Sequence, residues 1–147
     1  MRYAGPKGAR VGAYRSGLED RNANHMERLG VPFDFEQYHI NYIVPARGAK
    51  YTPDFVLRNG IIVETKGIWE VEDRKKHLLI REQYPDLDIR LVFSSSKSKI
   101  YKGSPTSYAD FCTKHGILFA DKLIPLAWLK ETTKEIPAGI LIPKGAK

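Results

Sequence analysis

The chain has 147 residues, 42% of them hydrophobic and 28% charged, with a net charge of +7; this suits one globular domain with its own core and favours a polyanionic partner. No apolar run is long enough to cross a membrane, and no apolar signal segment opens the chain. The single cysteine, Cys112, excludes an internal disulfide framework and, with four scattered histidines, argues against structural zinc; a reducing, cytoplasmic setting is expected.

Residues 1–15 hold Arg2, Lys7, Arg10 and Arg15 among glycines and no acid, which reads as a flexible cationic arm able to gain order on phosphates. Ser16 starts a predicted helix that stops before Gly30, with Leu18, Met26 and Leu29 as its apolar stripe. Ser16-Gly17-Leu18-Glu19 fits a capping box, in which Glu19 reaches back to the Ser16 amide. The rival reading turns Glu19 outward as an oxygen ligand, and one carboxylate cannot do both well. Phe33–Val44 reads as one strand, and 45–50 as a linker or turn.

A hairpin follows, then a helix over 72–84 stopped by Pro85 and a strand over 88–93. The helix carries Arg74, Lys75, Lys76 and Arg81, either as a solvated face or as phosphate contacts. The loop 94–104 places Lys97, Lys99 and Lys102 among serines, without an acid, and looks built for phosphates. Helices are predicted over 107–115 and 121–130, and a loose tail from Thr132. The fold class is mixed α/β, one sheet flanked by helices in a single domain over 16–131; no Gly-rich phosphate loop follows the first strand, which excludes a Rossmann fold.

The hairpin carries the chemistry. Tyr51–Leu57 and Ile61–Thr65 are rich in β-formers and flank Asn59-Gly60. A two-residue loop would set Asp54 and Glu64 on opposite faces. The expected loop has three residues, Arg58-Asn59-Gly60 with Gly60 at a positive-φ bulge, a common hairpin type that sets them directly opposite each other, with Lys66 on the same face. Like charges at about 5 Å are destabilising across a sheet. Either Lys66 neutralises the pair on a solvated face, or a bound cation holds it; the apolar Ile61-Ile62-Val63 beside it and the backbone access at Gly67 favour the cation.

Pro53-Asp54 with Glu64-Thr65-Lys66 resembles the signature of the PD-(D/E)xK nucleases. Ser16–Asp20, Tyr51–Phe55, Val63–Gly67, Asp73–Gln83 and Tyr101–Tyr108 together resemble the endonuclease I family of podovirus-type bacteriophages, which resolve Holliday junctions. The resemblance implies a restriction-endonuclease-like core and catalytic roles for Glu19, Asp54, Glu64 and Lys66. It also implies an intertwined, domain-swapped homodimer bridged near 45–50, with Glu19 given by one chain and the other three residues by its partner. Four-way junctions and other branched DNA are the implied substrates.

Chemistry agrees with these roles. Hard oxygen donors select Mg²⁺, with Mn²⁺ as a substitute, over zinc. Asp54, Glu64 and the Thr65 carbonyl would hold one ion and Glu19 would complete a second site, about 4 Å away where two ions bind. Lys66 would orient water and stabilise developing charge. Two other readings stay open: the same core acting on linear duplex, and a non-catalytic binder using charge alone. Metal-dependent cleavage separates the binder from both enzymes.

Overall fold

Two sheets organise the chain, whose computed structural model describes residues 17–44 and 47–145. The strand expected over 33–44 is broken at Glu36, which takes a left-handed φ of 49°. That kink, costly for a residue with a Cβ, separates β1 (Phe33–Phe35) from β2 (Tyr38–Val44) and sends them to different sheets. The arm, Ser16 and residues 45–46 lie outside the described residues.

α1 (Gly17–Leu29) has Glu19 and Asp20 in its first turn, which suits the positive end of the helix dipole. It ends at Gly30 (φ 70°), and the Val31 amide donates back to the Met26 carbonyl. β3 (Arg47–Tyr51) folds back antiparallel on β2. β4 (Phe55–Leu57) and β5 (Ile61–Lys66) form the expected hairpin: Phe55 opposes Val63, the Gly60 amide donates to the Leu57 carbonyl, and Gly60 has φ 89°. The three-residue loop therefore holds, and its register sets Asp54 against Glu64.

α2 (Val71–Gln83) crosses from β5 to β6 (Asp88–Phe93), which runs parallel to β5, and α3 (Tyr108–Lys114) leads to β7 (Phe119–Asp121). The main sheet has the order β1-β4-β5-β6-β7, and β3-β2-β8 form a second sheet with β8 (Ile142–Pro143). Alternation along β5 explains the layers. Ile61 and Val63 face Ala23 and Met26 of α1. Ile62 faces Ile40, Tyr42 and Tyr51 of the second sheet and Ile80 of α2.

Two sequence expectations fail near the end. The helix over 121–130 shrinks to α4 (Leu126–Leu129), because Asp121 extends β7 and accepts from the Ser96 amide and hydroxyl (2.5 and 2.8 Å), while Pro125 restricts the backbone before Leu126. The segment after Thr132 is docked rather than loose. The Lys134 amide donates to the Asn59 carbonyl (2.9 Å), Ile136, Ile140 and Leu141 pack on the second core, and β8 pairs with β2. Arg90, almost fully buried, anchors its start through Glu131 (2.5 Å) and Asp88 (2.8 Å).

Candidate active site

The register just described brings Asp54 and Glu64 together at the carboxyl end of β5, both buried. Each is held by donors from the hairpin and, for Glu64, also from Tyr51 at the end of β3. The Asp54 amide and the Tyr51 hydroxyl donate to Glu64 Oε1 (3.1 and 3.2 Å). The Thr65 amide and hydroxyl donate to Asp54 Oδ2 (2.9 and 2.8 Å). Lys66 Nζ lies 3.9 Å from Glu64 Oε2 and 3.5 Å from Asp73 Oδ1 at the start of α2.

Burial, more than any neighbour, holds the Glu64 carboxyl well above the ordinary range; Asp54 adds to this and Lys66 opposes it. Burial also raises Asp54, against the pull of the two Thr65 hydrogen bonds. Tyr51 is pushed well up by burial and by the two acids, so it stays a phenol and a donor.

A third and a fourth carboxylate approach Asp54. Glu19 is buried on α1, and ligand oxygens of Glu19, Glu36 and Asp54 lie within 4.8 Å of one another. Glu19 thus faces the hairpin from within the same chain. Asp54 links the two groups, touching Glu64 through its backbone and sharing the acidic cluster with Glu19 and Glu36. Sequence reasoning missed Glu36. It read 33–44 as unbroken and gave Glu36 no role, whereas its left-handed turn and the hydrogen bond from its amide to the Asp54 carbonyl (3.1 Å) bring it to the site. The one available signal was an acid pair spaced through aromatics in Phe33-Asp34-Phe35-Glu36.

These residues fit a hard divalent cation: the donor set is all oxygen, the carboxyls of Glu19, Asp54 and Glu64 are buried at a cost that positive charge relieves, and neither histidine nor thiol belongs to it.

The predicted phosphate contacts divide. Lys75, Lys97, Lys99 and Lys102 are exposed, and Lys76 lies over the Tyr51 ring (5.1 Å). Arg74 and Arg81 point inward instead. The buried Arg74 donates to the carbonyls of Trp69 (2.6 Å) and Ile100 (3.2 Å), and Arg81 donates to the Ile89 carbonyl. On an amphipathic helix their positions fall on the core side, where the long stem packs and the guanidinium meets backbone carbonyls, Trp69 and Ile100 for Arg74 and Ile89 of β6 for Arg81. Arg2, Lys7, Arg10 and Arg15 lie outside the described residues.

A mixed α/β domain with opposed buried acids and a lysine at one strand end has the make-up of a hydrolytic metal site, and comparison with known proteins gives its family. The chain belongs to the phage endonuclease I family, whose description matches residues 1–147. It is 62% identical over 144 residues to "Endonuclease I" of Escherichia phage T7, covering 97% of both chains. It is 64% identical over 125 residues to "Endodeoxyribonuclease 1" of Enterobacteria phage T3, covering 85% of this chain and 82% of the relative. Among the described residues, no helix is long and apolar enough to cross a membrane.

Proposed function

We propose that the protein is a metal-dependent, structure-selective DNA endonuclease that hydrolyses phosphodiesters at four-way junctions and other branched DNA. The observation that carries this reading is the opposition of Asp54 and Glu64, buried and drawn together beside Lys66, in a chain of the phage endonuclease I family. The order α1, antiparallel β1, β4 and β5, then α2 and β6, supports a PD-(D/E)xK core.

Asp54 and Glu64, with the Thr65 carbonyl, would hold one Mg²⁺ or Mn²⁺, and Glu19 would extend the donor set from the other side of Asp54. When bound, the ion supplies positive charge against the phosphate and makes nearby water more acidic. Lys66 is tethered between Glu64 and Asp73, so its ammonium is pre-aimed to orient the attacking water and to stabilise charge on the phosphoryl oxygens. Thr65 keeps Asp54 in one rotamer, and Tyr51 does the same for Glu64, which limits reorganisation during the reaction.

Recognition is by backbone path and charge. The exposed lysines and the basic arm suit phosphates, and nothing in the sequence resembles a base-reading helix-turn-helix or zinc finger. The active form is a homodimer of exchanged halves. One chain already holds Glu19 beside Asp54; separating β2 from β3 would remake those contacts between two chains and set two sites on one junction.

The test is cleavage of a four-way junction beside a linear duplex of matching sequence, each with Mg²⁺ and with EDTA. Paired, Mg²⁺-dependent nicks near the branch, with the duplex largely whole, are expected. Equal cutting of both would remove the structure selectivity, and no cutting would leave only DNA binding.

A further inference from the structure

Strands β5 and β6 end side by side, with the Ser94 amide donating to the Lys66 carbonyl (3.2 Å). The segments that leave them, 67–70 and 94–107, wall a groove of about 700 Å³ that begins at Ile68, two residues beyond Lys66, and includes Val71 and Arg74, which flank the Asp73 that Lys66 contacts (3.5 Å). Loops beyond the carboxyl ends of parallel strands are where open α/β sheets take ligands. The floor is cross-braced. Trp69 is fully buried, its amide donates to the Tyr108 hydroxyl (3.0 Å), and the Arg74 guanidinium donates to one carbonyl on each wall, Trp69 (2.6 Å) and Ile100 (3.2 Å).

The rim is built differently. Ile68 (73% exposed), Val71 (49%) and Tyr101 (63%) stand in solvent on a lining that also carries the exposed Lys99, Lys102 and Glu70. Apolar side chains held in water on a rigid base, framed by cations and next to candidate catalytic groups, suit a polyanion that also has flat apolar faces. A DNA strand has both: phosphates for the lysines, and base faces for an aromatic ring wherever stacking is interrupted.

Resting on the endonuclease reading, we propose that this groove receives the DNA strand flanking the cleaved phosphate and that Tyr101 stacks on a base unstacked at the branch point. Tyr101 is then a specificity-determining residue. In intact duplex the base faces are covered by their neighbours, so the ring gains little there. At a branch it gains a stacking partner, and the protein discriminates structure without reading base edges.

The experiment compares full-length wild type, Tyr101→Ala and Tyr101→Phe for binding to a four-way junction and to matched duplex, all in EDTA. A 2-aminopurine beside the branch reports stacking. Tyr101→Ala should bind the junction about tenfold more weakly, lose little on duplex, and abolish the fluorescence change that wild type and Tyr101→Phe both produce. Lys102→Ala should weaken both DNAs and lower the salt slope by about one. Wild-type junction affinity in Tyr101→Ala, or equal losses on both DNAs, would overturn the proposal. Junction cutting in Mg²⁺ is followed alongside: wild-type cutting with an indifferent Tyr101→Ala sinks the groove alone, whereas a wild type that cuts neither DNA sinks the endonuclease reading.

Discussion

Replacing Glu64 with glutamine separates the cost of the metal site from its use. Glu64 is buried, and its carboxyl is held well above the ordinary value of 4.5. The folded chain therefore keeps this proton longer than the unfolded chain, and the group's contribution to stability is lost as pH rises from about 4.5 through the raised value. Each unit of upward displacement costs about 1.4 kcal/mol at neutral pH. Glutamine keeps an oxygen for the Asp54 amide and the Tyr51 hydroxyl, and Lys66 keeps Asp73. Glu64→Gln should thus stabilise the metal-free protein by about 1–2 kcal/mol at pH 7.5, or ~3–6 °C in Tm at this chain length. The assay is thermal melting across pH 5–8 in EDTA and in Mg²⁺. The gap between variant and wild type should widen with pH in EDTA. Mg²⁺ at a hundredfold excess over its Kd should add about 2.7 kcal/mol to wild type alone. A variant that melts below wild type in EDTA, or that gains equally from Mg²⁺, refutes the reasoning.

Lys66→Ala should reduce junction cleavage by at least ~100-fold while gel-shift affinity stays near wild type; an equal loss of binding would remove its role as the water-orienting group. Mixing Glu19→Gln with Lys66→Ala, each inactive alone, should restore nicking if halves are exchanged, because one of the two composite sites is then intact; an exchange-free dimer recovers nothing. Gly60→Ala should lower stability by about 2–3 kcal/mol in denaturant titration, since the residue has φ 89° and a Cβ would lie 2.1 Å from the Lys134 carbonyl oxygen. His77 is lowered to about 3 by burial first, then by Arg81, Lys76 and Lys66. Its contribution is present above the ordinary value of 6.5 and lost as pH falls from there toward 3, at up to about 1.4 kcal/mol per unit; His77→Gln should flatten that acid limb in urea melts.

The reach of sequence reasoning follows the range of the forces involved. Turn chemistry at Asn59-Gly60 and strict alternation along the strand are local, and they were enough to set Asp54 against Glu64 with Lys66 on the same side. Capping and stop signals likewise bounded α1, α2 and β6 to within a residue or two, because a glycine or proline acts on its own backbone. What stayed hidden depended on segments far apart in the chain. The turn of Glu36 into the acidic site follows from β1 and β2 joining different sheets, a choice no residue within 33–44 dictates. The inward aim of Arg74 and Arg81 follows from the carbonyls of Ile100, on a loop, and Ile89, in β6, which only the folded chain brings to α2. The docking of 131–145 rests on Arg90, Asn59 and β2, each far away in sequence. Local chemistry determined the reactive hairpin by itself, whereas the carboxylates and the groove around it were decided only when tertiary packing gave distant polar groups their partners.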